Sequence, residues 1–149
     1  MEIETRAFGP VEIDEAQIVT FPKPILGFPD HRRFVVLNPD PEVPFQWLQS
    51  VEAADVCFLI TDPRPFFPDY RLEVRAGDLA DLRIESPGDA AVAVIVNLAE
   101  GMDKATANLL APIVFNTRRK LARQVVLEGS GHPVRAPLFT EEGRRRQAG

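Results

Sequence analysis

Two carboxylates and a tyrosine stand in a short proline-rich segment, TDPRPFFPDY, at residues 61–70. They are Asp62, Asp69 and Tyr70. Paired carboxylates can exchange protons with a substrate or bind a hard cation. One hypothesis is therefore a small β-barrel enzyme or ligand-binding protein with a pocket around these three residues. The simpler interpretation is that both aspartates are turn residues, whose side-chain oxygens accept hydrogen bonds from backbone N–H groups.

The other reactive side chains do not form a recognisable catalytic set. The chain has two histidines, His31 and His132, and one cysteine, so it cannot build a thiolate-rich zinc site alone. Cys57 lies in the apolar run VCFLI, which is typical of an inert, buried thiol. Ser130, in LEGSGH, lacks the glycine two positions earlier that a nucleophile elbow requires. We expect neither a cofactor nor enzymatic activity.

The charge of the chain is −5 and unevenly distributed. Residues 1–62 carry 11 acidic and 4 basic residues, a sum of −7, whereas residues 63–149 carry 11 acidic and 13 basic residues, a sum of +2. An acidic protein repels the phosphate backbone, so direct binding of nucleic acid is disfavoured. A basic protein partner is compatible with this charge. The alternative is an acidic surface that only keeps the protein soluble.

One basic cluster runs against this trend. No aromatic residues are interleaved with it, and the background is acidic, so it indicates a solvated strand face rather than an RNA site. Its members are Arg118, Arg119, Lys120 and Arg123.

The N-terminal stretch MEIETRAFG is polar and alternating, without the basic and apolar regions of a secretory signal. No run approaches the roughly 18 apolar residues that a membrane-spanning helix requires. The sequence therefore predicts a cytoplasmic protein without membrane contact.

Strands are the elements that must position these side chains. Proline makes up 14 of 149 residues and interrupts helix interiors, whereas many short segments alternate apolar and polar residues. The predicted strands are 2–8, 11–13, 18–21, 34–37, 45–51, 56–61, 71–74, 92–98, 113–116 and 119–128. We expect an all-β fold: a small antiparallel β-barrel or sandwich-like single domain with one or two short helices.

The best helix candidate is GDLADLRI at residues 77–84, where Asp78 could cap the N-terminus and two leucines stand three apart. A second segment, starting at Met102, also contains helix-compatible residues, and Pro112 would stop a helix there.

In the strand FQWLQSV, Phe45, Trp47 and Gln49 share one face. This alternation predicts that Trp47, the only tryptophan, points inward and that its indole N–H needs a partner.

No core pattern remains after Gly129, and the chain ends in the charged sequence TEEGRRRQAG. We expect one domain over residues 1–129, followed by a disordered tail over residues 130–149.

Four segments stand out in order along the chain: TFPKPILGF (20–28), FQWLQS (45–50), TDPRPFFPDY (61–70) and ANLLAPIVFNT (107–117). Taken together, they resemble the flagellar assembly factor family FliW. A further passage, DLADLRIESPGDAAVAVIVNL, is similar to the helix-then-strand region of that family. The segment ILGF departs from the more frequent IPGF, and the end after residue 129 has no match.

The resemblance implies a cytoplasmic β-barrel-like protein that acts by binding proteins rather than by catalysis. Family members bind CsrA, a basic RNA-binding translational repressor, and so relieve repression of flagellin synthesis; they also bind flagellin itself. The resemblance thus implies both partners here, no direct contact with nucleic acid, and a monomer when unbound. The candidate binding residues are Gln46, Glu52, Asp55, Asp62, Phe66, Phe67, Asp69, Tyr70 and Asn108.

Overall fold

The computed structural model describes residues 1–72 and 76–139, apart from the side chains of residues 76 and 78. Eleven short strands account for most of its regular structure: β1 (Glu2–Thr5), β2 (Gly9–Glu12), β3 (Val19–Thr20), β4 (Arg33–Leu37), β5 (Phe45–Ser50), β6 (Cys57–Thr61), β7 (Ala90–Asn97), β8 (Thr106–Ala107), β9 (Ile113–Asn116), β10 (Leu121–Gln124) and β11 (Ala136–Pro137). Four 3₁₀ segments join them: Glu15–Gln17, Ala76–Leu82, Pro87–Asp89 and Met102–Lys104.

The nine strands β3–β11 form one sheet, in the order β11-β8-β7-β6-β5-β4-β3-β10-β9. Strand β9 also pairs with β7, with Ala91 opposite Phe115, so seven strands close into a barrel. All pairings are antiparallel except the short contact between β3 and β10. Closure removes most exposed strand edges. The predicted all-β, barrel-like fold is confirmed.

Alternation along the strands sends one set of apolar side chains into the barrel. In β5 the inward residue is Leu48, which is 0% exposed, and it packs with Phe34 of β4 and Ile60 of β6. The Phe21 and Phe34 rings meet edge to face, with centroids 5.2 Å apart. This interior core is apolar and brings together residues from Val19 to Ala122.

Strands β1 and β2 form a hairpin that covers part of the barrel's outside. Ile3 and Ile13 pack on Val35, which points out of β4. The backbone N–H of Arg6 donates to the carbonyl of Ala54, 3.0 Å away, and so ties the hairpin to the β5–β6 turn.

The helix predicted at residues 77–84 is a 3₁₀ helix that begins at Ala76 and ends at Leu82. A period of three suits Leu79 and Leu82, which share one side of such a helix. Because the helix begins before residue 78, that residue is not at its start; its side chain lies outside the described residues.

The helix-compatible segment after Gly101 forms only one 3₁₀ turn, Met102–Lys104. The chain then enters β8, where Ala107 pairs with Val96 on one side and Ala136 on the other. Strand pairing therefore outweighs local helix propensity here. The strand predicted at 71–74 is irregular at residues 71 and 72, and its remaining residues lie outside the described ones.

The prediction that the folded part ends at Gly129 is wrong. Strand β11 pairs with β8, and Leu138 is 1% exposed and donates its N–H to Ala105, at 3.0 Å. A two-residue strand containing proline is too short to show a period, so the sequence pattern did not indicate it. Residues 140–149 of the predicted tail lie outside the described residues.

Candidate protein-binding surface

A second apolar cluster lies on the outside of the barrel, over β5 to β8. Outward side chains such as Leu59, Val94 and Val96 form its base, and Leu138 and Ala136 come from the C-terminal segment. Aromatic rings complete it, one of them buried and five partly buried, and we call these rings the outer aromatic layer: Phe45, Trp47, Phe66, Phe67, Tyr70 and Phe139.

The proline-rich segment after β6 supplies three rings of this layer. The carbonyl of Pro63 accepts hydrogen bonds from the N–H groups of Phe66 (3.1 Å) and Phe67 (2.8 Å). The N–H of Tyr70 donates to Phe67, at 3.0 Å, so two successive turns fold the segment back onto the sheet. Proline restricts the backbone at these turns, which helps to order the segment.

Phe66 and Phe67, both candidate binding residues, have different exposures. Phe66 is 6% exposed and lies between Phe45 and Phe139, with both centroid distances 5.9 Å, so its role is packing. Phe67 is half-buried.

Tyr70 is a structural anchor rather than a free phenol. Its hydroxyl donates to the carbonyl of Leu109 at 2.7 Å, and its ring meets His132 edge to face at 4.8 Å. Burial raises the pKa of Tyr70 to about 12, so the hydroxyl stays protonated at neutral pH.

The two aspartates of this segment have different surroundings. Asp62 accepts hydrogen bonds from the backbone N–H (2.9 Å) and side chain (2.6 Å) of Arg64, and these bonds hold the pKa of Asp62 below its ordinary value. Asp69 is exposed, and Arg64 is exposed as well. The turn interpretation therefore describes Asp62 better than acid–base chemistry does.

Asp62 borders two clefts. The larger, about 450 Å³, is the open mouth of the barrel, where Gln46, Val36 and Phe115 point inward. The smaller, about 260 Å³, includes Arg64 and Tyr70. Of the hypothesised pocket around Asp62, Asp69 and Tyr70, the smaller cleft brings Asp62 and Tyr70 together, and Asp69 lines neither cleft. Gln46 lies in the barrel mouth, not on the outer layer.

Three other candidate residues lie in turns. Glu52 and Asp55 are exposed in the β5–β6 turn, where Glu52 accepts from the N–H of Arg33 at 3.3 Å. Asn108 accepts from the N–H groups of Leu110 and Ala111, both at 3.1 Å, and shapes the turn after β8. Asn108 therefore serves the fold.

The basic cluster occupies the turn between β9 and β10 more than a strand face. Arg119 pairs with Glu85 at 3.1 Å, and Arg123, in β10, pairs with Asp81 at 3.3 Å. Lys120 is exposed in the turn, with a positive φ of 55°.

Trp47 does not face the barrel interior, so that prediction is wrong. Barrel closure puts Leu48 inside, and Trp47 consequently points outward, where its ring meets Phe8 of the β1–β2 turn at 6.0 Å. Among the described residues, no hydrogen bond partner of its indole N–H is present.

Trp47 lines a surface cleft of about 180 Å³. Two of its apolar walls remain substantially in contact with water, since Val43 is 41% exposed and Met102 is 50% exposed. We call it the Trp47 cleft, and it is lined by Pro39, Asp40, Val43, Phe45, Trp47, Leu59, Leu98 and Met102.

One acidic residue lines this cleft, and three more belong to the two turns that supply its exposed apolar walls. Asp40 lines it, and Glu42 and Asp103 are chain neighbours of the exposed Val43 and Met102. Neither these three residues nor the nearby Glu100 has an ion pair within the described part of the chain. We call this set the acidic rim: Asp40, Glu42, Glu100 and Asp103, all exposed.

Sequence reasoning missed this cleft, although two signals pointed to it. Phe45 and Trp47 share a strand face, and Val43 and Met102 are single apolar residues in otherwise polar turns. Their proximity depends on the pairing of β5, β6 and β7, which local patterns do not specify.

In the part of the chain that the structure describes, no helix is both long and apolar enough to cross a membrane.

Comparison with known proteins gives one consistent family. The model of the FliW protein family matches residues 2–138. The flagellar assembly factor FliW of Alkaliphilus metalliredigens is 42% identical over 142 residues, covering 95% of this chain and 88% of that protein. The same factor of Natranaerobius thermophilus is 36% identical over 146 residues, covering 97% of each chain.

A crystal structure of the flagellar assembly factor FliW superposes with a TM-score of 0.88 at 37% identity, covering 95% of this chain and 99% of that one. Sequence and fold therefore agree, and this chain belongs to the FliW family of flagellar assembly factors.

Proposed function

We propose that this flagellar assembly factor acts in the cytoplasm by binding a basic RNA-binding regulator of the CsrA type. Binding would relieve repression of flagellin synthesis. Flagellin, as a second partner, would displace the regulator. This is a binding function, without catalysis or a cofactor.

The observation that carries the proposal is the exposed acidic surface of the N-terminal half. Of the eleven acidic residues among 1–62, all but Asp62 are exposed. Within the described residues, only Glu12, Glu52 and Asp62 have ion pairs. Such a surface attracts a basic protein and speeds its association, and it repels RNA.

A binding experiment with purified proteins tests the proposal. The regulator is immobilised, and association is followed by surface plasmon resonance at several salt concentrations. We expect saturable binding by the wild-type protein, with an association rate that falls as salt rises, because the Debye length shortens below its value of about 8 Å at physiological ionic strength.

A charge-reversed pair provides the variant. Glu4→Lys with Asp55→Lys should slow association more than it speeds dissociation, since both residues are exposed and have no ion pair among the described residues. Glu52 is a poorer choice, because it supports the backbone of Arg33.

Two further measurements test the expected effects on RNA and of flagellin. The protein should release a bound flagellin-message RNA from the regulator without binding that RNA itself, and added flagellin should reverse the release. If the wild-type protein does not bind the regulator, or binds the RNA directly, the proposed function is wrong.

A further inference from the structure

We propose that the Trp47 cleft and its acidic rim form the anchoring site for a partner segment with an exposed apolar side chain flanked by lysine or arginine. The proposal rests on the proposed function, because the basic regulator would supply that segment.

The apolar half of the site is incomplete in the chain alone. Val43 and Met102 are 41% and 50% exposed, and Phe8, which touches Trp47, is 40% exposed. Exposed apolar side chains are ordinary when they are scattered singly, but Val43 and Met102 line the same concavity, and Phe8 contacts the tryptophan that forms its wall. Tryptophan and methionine are enriched in the buried centres of protein interfaces.

The size of the cleft favours a side chain over a small molecule. At about 180 Å³ it is smaller than the roughly 300–1,000 Å³ of pockets that enclose a drug-sized ligand. A volume of this kind accepts one or two apolar side chains from a partner surface.

The walls of the cleft are held in place before any partner arrives. Trp47 pairs directly with Leu59 across β5 and β6, and Phe45 pairs with Thr61 one step along the same ladder. The Phe8 ring holds Trp47 from the other side. A preorganised site loses little conformational entropy on binding.

The negative charge near the cleft favours a partner segment with basic residues on either side of its apolar side chain. The two turns that border it, 38–44 and 98–104, carry four acidic residues and one basic residue, Lys104. Because the acidic rim has no ion pair within the described residues, its charge is available to lysine or arginine of a partner. The indole N–H of Trp47 adds a donor for a carbonyl of that segment.

Intrinsic fluorescence reports on this site directly, because Trp47 is the only tryptophan. Titration of the full-length protein with the purified regulator should shift the Trp47 emission to shorter wavelength as the ring loses contact with water. The regulator alone provides the spectral control, and surface plasmon resonance provides the Kd.

Two exposed side chains can be changed without disturbing the core. Val43→Ser with Met102→Ser should raise the Kd about ten-fold or more, as expected for truncated anchor contacts. The matched control is Leu26→Ser with Val126→Ser, which removes exposed apolar side chains (67% and 39% exposed) elsewhere on the surface. The control pair should leave the Kd within about two-fold.

Each outcome decides between the two proposals. If the wild-type protein binds the regulator but the cleft pair binds as tightly as the control pair, the cleft is not the anchor, and the proposed function still stands. If the wild-type protein does not bind, both fail. If a chain ending at Phe139 shows a Trp47 emission different from that of the full-length protein without any partner, this chain's own C-terminal segment fills the cleft, which overturns the proposal.

Discussion

The barrel interior and the outer aromatic layer are both apolar, yet they are built in opposite ways. The interior comes from regular alternation along paired strands, and Leu48 and Phe34 are 0% exposed within it. The outer layer combines two rings of β5 with rings from irregular segments far apart in the chain, and its rings at Trp47, Phe67 and Tyr70 are only partly buried.

This difference separates stability from recognition. A closed barrel pairs its own strands, and its central side chains, such as Leu48 and Phe34, leave no apolar surface for a partner. The outer layer ends at a cleft where Val43 and Met102 remain in contact with water. Changes inside the barrel should therefore alter the free energy of unfolding, and changes at the cleft should alter binding.

The largest effect on stability is expected from Leu48→Ala. It removes a fully buried side chain from the interior and should lower the free energy of unfolding by about 2–5 kcal/mol. Urea denaturation measures this loss, and Leu26→Ala, at an exposed position, should change it by less than about 0.5 kcal/mol. An equally small loss for Leu48→Ala would remove the distinction between the two regions.

Leu138→Ala tests whether the C-terminal segment belongs to the core. Because Leu138 is 1% exposed in the outer cluster, the truncation should lower the free energy of unfolding by about 2–3 kcal/mol. The control is Val134→Ala, at a position that is 53% exposed. If Leu138→Ala and Val134→Ala have similar free energies of unfolding, the C-terminal segment does not belong to the core and the folded domain ends at Gly129.

Tyr70→Phe should have a smaller effect, about 0.5–1.5 kcal/mol, since it removes the hydrogen bond to Leu109 and keeps the ring. If the variant still binds the regulator, the hydroxyl stabilises the outer aromatic layer and does not contact the partner. Loss of binding without loss of stability would move the recognition site toward His132.

Titration of Tyr70, the only tyrosine, tests whether its phenol is buried in the folded protein. Burial raises the pKa of Tyr70 from 10.0 to about 12, so the folded state holds its proton where the unfolded state loses it. The stability from this group is complete below pH 10 and is lost as the pH rises toward 12. Tyrosinate absorbance should show a midpoint near 12, and a midpoint near 10 would mean that the phenol is solvated. Cys57, whose pKa burial raises to about 11, requires a Cys57→Ala background.

Asp62→Asn should have the smallest effect. The ion pair with Arg64 is partly exposed, and such pairs contribute about 0–1 kcal/mol. The lowered pKa of Asp62 means that this stability is present above the unfolded pKa of 3.8 and is lost as the pH falls through the folded pKa. Thermal melts of this variant and of Asp69→Asn, measured between neutral and acid pH, should nearly coincide. A large loss for Asp62→Asn alone would give this carboxylate a role beyond its turn.

The sequence predicted the barrel better than the layer that covers it, for a physical reason. Strands such as β5 and β6 show a period of two that any local window detects, so both were located to within one residue. The face of Trp47 was misjudged because each face of β5 mixes polar and apolar residues, and only closure of the barrel puts Leu48, with one apolar residue on its face, inside.

The outer layer depends on pairings that no local pattern encodes. Strand β11 has two residues, one of them Pro137, and it becomes a strand only because β8 is beside it. The Trp47 cleft likewise requires the turns at Val43 and Met102 to meet, and those residues are more than 50 positions apart. Among the candidates selected by residue type, Asn108 accepts hydrogen bonds within a turn and Phe66 is buried in the outer cluster, and neither arrangement is visible in a local pattern.

Hydrogen–deuterium exchange of the full-length protein, alone and saturated with the regulator, tests the division between scaffold and binding surface most directly. We expect new protection in residues 38–47 and 98–104, which form the Trp47 cleft, and unchanged exchange in the barrel-mouth turn at 117–120. Protection confined to that turn, with exchange at the cleft unaltered, would contradict the assignment of recognition to the outer layer.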